Sequence, residues 1–393
     1  MRKQFKIDLI IIFTLFIAGC SNQQKNTGTL NKLGGDMIEE IVVEETFDTL
    51  KEVDQLKILP FRKFYKYDKN PILFSSGTGF ESMAVFNPTA ILKDEIIYMF
   101  YRAENWGSEN WPDQSIRPEG WKADKEWPGV STIGLATSKD GINFTKRNKP
   151  AIAPEYDYEI IGGCEDPRIS KVNGLYYMTY TGMGLPNRVG KMCIATSKDL
   201  INWEKHGPIF DWEENCKAGV IIPEIINGKY WMYFGDKNIW LASSVDGINW
   251  TCDKEKDVLF SPREGKFDSL LCEPGPTPVI TEKGILLIYN GATKGDRYNR
   301  RMTNYGDPAV LGASKLREYS TGWALFSKED PSKLIARSDK PFLEISEDFE
   351  RRGQVDNVLF TSGLIEKDNK WYIYYGCADT YIGVAIADAK QYK

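Results

Sequence analysis

The chain has 393 residues, 42% of them hydrophobic and 13% aromatic, with a formal net charge of −5 and a single histidine. That length suffices for one large or two ordinary domains, and the mild acidity without a basic patch argues against a nucleic-acid partner, which would need a phosphate-binding surface. The 34 Gly and 19 Pro call for many turns, and with abundant aromatics they suit a β-rich protein.

The N-terminus sets Arg2, Lys3 and Lys6 before the apolar run Leu9 to Ile17, a basic head and a short hydrophobic stretch that read as an export signal rather than a membrane span. Ile17-Ala18-Gly19-Cys20 resembles a bacterial lipobox, which implies removal of residues 1–19, lipid on Cys20 and a cell-envelope protein held to the membrane by that lipid alone. Residues 20–60 are polar and read as a spacer, and residues 61–393 as the folded domain. The remaining cysteines (Cys164, Cys193, Cys216, Cys252, Cys272, Cys377) lack the paired spacing of a zinc site and are expected to be buried thiols.

One segment recurs five times: a turn, then an apolar-aromatic run. The copies are Glu95 to Ala103, Gly174 to Gly182, Gly228 to Asp236, Gly284 to Gly291 and Asn369 to Cys377. Three copies are followed by a second strand and a turn: Ile133 to Phe144, Cys193 to Trp203 and Ile239 to Trp250. The copies at Gly322 to Pro331 and Ile382 to Asp388 are degenerate or cut short. In the Ser-x-Asp-Gly turns the Asp caps backbone amides, and the Phe or Trp that follows can fill the gap between neighbouring sheets. Five such repeats with little helical periodicity predict an all-β, five-bladed β-propeller; two stacked β-sandwiches are the alternative.

Two connections are longer than the rest. One, after Ala103, carries Trp106, Trp111, Trp121 and Trp127, whose indole faces could stack on sugar rings or simply pack the loop. The other, after Ala292, carries Arg297, Arg300 and Arg301, a set able to bind an anion or to sit solvated on a loop.

His206 follows a structural turn and is expected to be solvated, which leaves neither a Ser/His/Asp triad nor a histidine metal site, and no glycine-rich phosphate loop is present. Carboxylates remain. Glu165 and Asp166 precede the second copy, Glu224 the third, Glu273 the fourth and Asp356 the fifth, while Asn87 stands before the first. Each acid lies among apolar residues, Pro and Gly, where an unpaired carboxylate is costly. Equivalent positions of successive blades converge on the axis, and paired carboxylates are the machinery of glycoside cleavage. Asp166 beside Arg168 is equally readable, at this point, as a local ion pair.

Asn87-Pro88, Glu165-Asp166-Pro167-Arg168-Ile169, Pro223-Glu224 with Asn227 to Tyr230, and Glu273-Pro274-Gly275-Pro276 followed by Leu287 to Gly291 resemble glycoside hydrolase family 130, over roughly residues 65–388. The resemblance implies a five-bladed propeller acting on β-mannosides, in some members by phosphorolysis and in others by hydrolysis, without metal or organic cofactor. It implies that Asp166 protonates the glycosidic oxygen through the 3-hydroxyl of the mannose, and that Glu224 and Glu273 activate water for inverting attack. The residues expected to hold the sugar are Asn87, Arg102, Trp106, Glu165, Arg168, Asn290 and Asp356. The family's phosphorylases carry a histidine where this chain has Asn290, and Glu273 would repel phosphate, so hydrolysis is the expected reaction. A β-mannosyl phosphorylase and a non-catalytic glycan-binding lipoprotein are the alternatives.

Overall fold

A computed structural model describes residues 58–107, 129–160, 162–184, 189–294 and 317–390. Cys20 with the N-terminal segment, Trp111, Trp121 and Trp127 of the first long loop, and Arg297, Arg300 and Arg301 of the second lie outside the described residues.

Strand β1 (Tyr65–Lys66) precedes four sheets laid down in chain order. The first holds β2 (Ala84–Lys93), β3 (Ile96–Glu104), β4 (Thr132–Ser138) and β5 (Thr145–Lys146). The second holds β6 (Gly163–Val172), β7 (Leu175–Met183), β8 (Gly190–Ser197) and β9 (Glu204–Pro208). The third is built from β10 (Val220–Ile221), β11 (Tyr230–Phe234), β12 (Ile239–Ser244) and β13 (Trp250–Thr251), with β14 (Val258–Phe260) also on β12. The fourth has β15 (Leu271–Pro274) and β16 (Val279–Thr281) both pairing β17 (Gly284–Lys294), then β18 (Arg317–Phe326) and β19 (Leu334–Arg337). The fifth sheet, β20 (Leu359–Lys367), β21 (Lys370–Cys377) and β22 (Tyr381–Asp388), takes β1 as its outer strand, with Tyr65 opposite Ile386. This is the five-bladed propeller expected from the repeats, its ring closed by a strand from the opposite end of the chain.

The five aromatic runs are β3, β7, β11, β17 and β21, the second strand of each blade. Most enter from a hairpin turn of positive-φ residues, such as Asn173-Gly174 and Asn227-Gly228, whose backbone twist matches that of the flanking strands. Their side chains form five clusters, each bridging two adjacent blades. Phe100, Ile133 and Leu135 of the first blade meet Ile169, Tyr176 and Met178 of the second, and Tyr233 and Leu241 of the third meet Leu287 and Tyr289 of the fourth. Each large side chain buried here contributes roughly 1.5–3 kcal/mol, so the sheets, marginal singly, are stable as a ring.

The Ser-x-Asp turns are structural. Asp140, Asp199 and Asp246 each accept two backbone amides and an Asn side chain at 2.7–2.9 Å. The aromatics after them plug toward the preceding blade: Trp203 lies edge-on to Phe100 at 5.5 Å, and Phe144 to Tyr374 at 5.7 Å.

Near the axis the inner strands are joined through side chains. Thr89 Oγ1 accepts from the Ile169 amide at 3.2 Å, Ser362 donates to the Pro88 carbonyl at 2.8 Å, and Asn290 pairs with both backbone groups of Thr361 at 2.8 Å. The described cysteines are free thiols, all buried except the half-buried Cys252. His206 lies exposed on the outermost strand β9, its Nε2 2.8 Å from Thr196 Oγ1.

Candidate active site

Strand register defines the site. Opposite the residue that follows the aromatic in each second strand stands one residue of each inner strand: Phe86 across from Arg102, Glu165 from Thr181, Glu273 from Asn290 and Phe360 from Gly376. In the third blade the Gly235 amide donates to the Lys217 carbonyl. Phe86, Glu165, Lys217, Glu273 and Phe360 are therefore equivalent, and they surround the axis where the inner strands begin.

In the first two blades the next two residues bulge out of register, Asn87-Pro88 and Asp166-Pro167. Asn87 and Asp166 sit at φ 46° and 50°, a left-handed conformation that Asn and Asp tolerate best among residues with a side chain. Proline has no amide to lose from the ladder, and bulges commonly re-aim a side chain beside a site. Here the bulges bring the two side chains together, Asn87 Nδ2 donating to Asp166 Oδ1 at 2.8 Å. Gly376 makes room, since a Cβ there would fall 2.4 Å from Asn87 Oδ1. Asn87 thus orients the acid.

Arg102, its guanidinium 4.9 Å over the Phe86 ring, ties this side of the site together. It reaches Glu104 at 2.6 Å, Glu165 at 2.9 Å and Asp166 at 3.6 Å, and its Nε donates to Ser131 Oγ at 3.1 Å. Ser131 is held against the second blade by a close backbone approach, the Cys164 amide donating to its carbonyl at 2.9 Å. Gly163 permits that approach at φ 96°, where a Cβ would lie 2.0 Å from the Ser131 oxygen. Gly163→Ala is expected to lower the unfolding free energy by at least about 2 kcal/mol, measured by urea denaturation, through collision and positive-φ strain together.

Lys217 organises the other side, 3.4 Å from Glu273 and 3.8 Å from Asp236. Glu273 is 1% exposed, and its Oε1 has no hydrogen bond among the described residues. Burial pushes Glu273 up to about 7 against the pull of Lys217 and Arg168. Burial likewise raises Glu165 to about 7, and Asp379, in the loop after β21, to about 7. Asp166 behaves oppositely. Burial acts to raise it, but Arg102, Lys217, Arg168 and the Asn87 amide outweigh burial and hold it below the usual carboxylate range.

The structure brings Asp166, Glu273, Glu165, Asn87, Arg102 and Arg168 together and displaces three other expected residues. Glu224 is exposed near the turn that joins β10 to β11, where Ile226 bridges Lys229, whereas the axial position of that blade is Lys217, at the other end of the strand. Seven residues separate Glu224 from Lys217, about 20 Å of extended chain, which puts its carboxylate out of reach of the cluster. Glu224→Gln is expected to leave kcat and KM within about twofold of wild type in steady-state assays, as for an ordinary surface change. Asn290 is fully buried with both ends of its amide bonded to Thr361, so it joins blades rather than binding sugar. Asp356 accepts a local bond from the Gly353 amide at 3.2 Å, and it is Gln354 of the same loop that reaches Glu104 at 3.0 Å. Arg168, with a side chain sealed from solvent, belongs beneath the site and not in contact with sugar. Trp106 is half-buried at the root of the first long loop, its amide donating to Ser82 Oγ.

Sequence reading missed Lys217, Asp236 and Asp379. The first was legible, since Lys217 precedes Gly228 by eleven residues as Glu273 precedes Gly284, while Glu224 precedes Gly228 by only four. Asp236 then follows as the residue after the repeat's Phe234-Gly235.

The family model described as β-1,4-mannooligosaccharide phosphorylase matches residues 119–391. A 1,2-β-oligomannan phosphorylase of Thermoanaerobacter sp. (strain X514) is 37% identical over 328 residues, 83% of this chain and 97% of the relative. A solved structure reported under "The GH130 family of mannoside phosphorylases contains glycoside hydrolases that target beta-1,2 mannosidic linkages in Candida mannan" superposes with a TM-score of 0.69 at 35% identity, covering 84% of this chain and 97% of that one. The β-1,2-mannobiose phosphorylase of Listeria innocua, solved with β-1,2-mannobiose, gives 0.67 at 25% identity over 83% and 97%. With the propeller, the Glu165-Asp166-Pro167-Arg168 bulge and these matches in hand, the chain belongs to glycoside hydrolase family 130, whose members process β-mannosides.

Proposed function

We propose that this protein hydrolyses β-mannosides with inversion at the funnel between Asp166 and Glu273. Asp166 delivers the proton to the glycosidic oxygen, relayed through the sugar's 3-hydroxyl. Glu273, assisted by Asp236 across Lys217, takes a proton from the attacking water. The observation that carries this reading is the acceptor side of the site, where two carboxylates bracket one lysine. Two carboxylates suit a water as the nucleophile, whereas a phosphate dianion meets like charge. The resemblance of Ile17-Ala18-Gly19-Cys20 to a lipobox supports a reaction in the cell envelope, with the protein anchored at Cys20.

Phosphorolysis is the second reading. The phosphorylase names of the Thermoanaerobacter and Listeria relatives favour it, and Lys217, with Arg317 hydrogen-bonded to Tyr319 close enough to influence Glu273, supplies cations for an anion. Incubating the full chain with β-1,2- and β-1,4-mannobiose, with and without inorganic phosphate, separates the readings. Mannose release at a rate indifferent to phosphate supports hydrolysis. A strict requirement for phosphate, with mannose 1-phosphate as product, moves the conclusion to phosphorolysis, and sugar binding with no product identifies a non-catalytic glycan receptor.

A further inference from the structure

Arg168 is the largest fully buried side chain among the described residues, and its contacts do not match those of a sugar ligand. It is 1% exposed. Its Nη1 donates to the carbonyls of Asp166 and Pro167 at 3.2 and 3.1 Å, and its Nη2 to the carbonyl of Pro274 at 3.3 Å. Nη2 also lies 3.8 Å from Glu273 Oε1, the guanidinium carbon is 5.5 Å from the centre of the Phe360 ring, and Nε has no partner among the described residues. A buried cation is tolerated only when paired and hydrogen-bonded. This one is bonded to the backbone on either side of the active site, at Asp166 in the second blade and next to Glu273 in the fourth.

We infer that Arg168 is a positioning residue that spans the third blade from beneath, holding the bulge that aims Asp166 at a set distance from Glu273 and keeping the Glu273 carboxylate ionised for its role as base. The inference rests on the proposed roles of Asp166 and Glu273. A planar guanidinium suits the task because it can donate to several carbonyls in fixed directions while carrying charge, which a lysine ammonium does with less geometric control. The groups facing Glu273 are Lys217, Asp236, Asp166, Arg168, and Arg317 with Tyr319 on β18. Lys217 sits between two acids and is partly open to solvent, so Arg168 is the sealed counter-charge. Without it, burial of Glu273 is opposed only by Lys217, which Asp236 shares, and by Arg317, which is bonded to Tyr319.

Arg168→Met and Arg168→Lys test this when assayed beside Glu273→Gln on β-1,2-mannobiose across the pH range. For Arg168→Met, kcat is expected to fall about 100-fold at neutral pH with KM within threefold, and the acidic limb of the kcat profile to move up by about one pH unit, so that the deficit relative to wild type at the same pH narrows as pH rises. Arg168→Lys is expected to keep the limb near its wild-type position, since the charge remains, and to recover part of the lost kcat. An inactive Glu273→Gln beside an Arg168→Met enzyme with an unmoved limb overturns the role of Arg168 and leaves the proposed chemistry standing. A fully active Glu273→Gln overturns the chemistry and this role with it. Should Arg168→Met not fold, Arg168→Lys carries the test: a lowered kcat at unchanged KM supports the inference, and wild-type kcat overturns it.

Discussion

Asp166→Asn is expected to lower kcat by roughly 10²–10⁴-fold on β-mannosides, the usual contribution of a positioned acid, while KM changes by no more than a few-fold. The substitution is nearly isosteric, and an Asn carbonyl can still accept the 2.8 Å bond from Asn87 Nδ2, so the bulge should keep its shape. The resting Asp166 is ionised at neutral pH. Burial pushes its neighbours Glu165 and Asp379 up to about 7, so near neutral pH protons are held beside it in the field of Arg102. Activity should therefore decline as pH rises through about 7. Steady-state kinetics with a parallel thermal melt checks the prediction, and a kcat within tenfold of wild type in a folded variant removes Asp166 from the acid role.

Glu273→Gln should be at least as damaging, with kcat down about 10³-fold or more, because the variant can neither take a proton nor attract the water. The sign of its pH dependence follows from its burial. A base must be ionised, and Glu273 titrates at about 7, so the wild-type rate rises with pH through that value. Together with the opposite limb from the Arg102 cluster this gives a narrow bell centred near neutrality. Stability runs the other way. A carboxyl whose folded pKa is raised destabilises the fold once ionised, a cost absent below the unfolded value near 4.5 and complete above about 7. The shift corresponds to something on the order of 3 kcal/mol. Comparing melts of Glu273→Gln and wild type at pH 5 and pH 8 should find the variant relatively more stable at the higher pH; equal differences at both would show that the folded-state pKa of Glu273 is not raised to about 7.

The propeller was legible because its signal repeats: five aromatic strands and three Asp turns each state the same local geometry, so a degenerate copy is outweighed by the others. Glu165, Asp166 and Glu273 were legible because a carboxylate beside Pro in an apolar run is costly without a purpose. The third blade was misread for the same reason. Its axial position carries a lysine after a polar loop, and the nearest acid next to a proline, Glu224, drew the assignment although it stands past the strand. Asn290 and Arg168 were misread in another way, since sequence reports that a polar residue lies near the axis but not whether it faces the funnel or the neighbouring strand's carbonyls. Asp379 gave no signal, as its importance comes from burial within the electrostatic reach of Arg102 and Asp166, which lie far from it in sequence.

The most direct measurement is ¹H NMR of the reaction on β-1,2-mannobiose in buffer containing inorganic phosphate, read before mutarotation scrambles the anomers. Attack by a water held at Glu273 on the face opposite the leaving group predicts α-mannose as the first product, with no mannose 1-phosphate. Mannose 1-phosphate as the product, or β-mannose appearing first, would contradict the account.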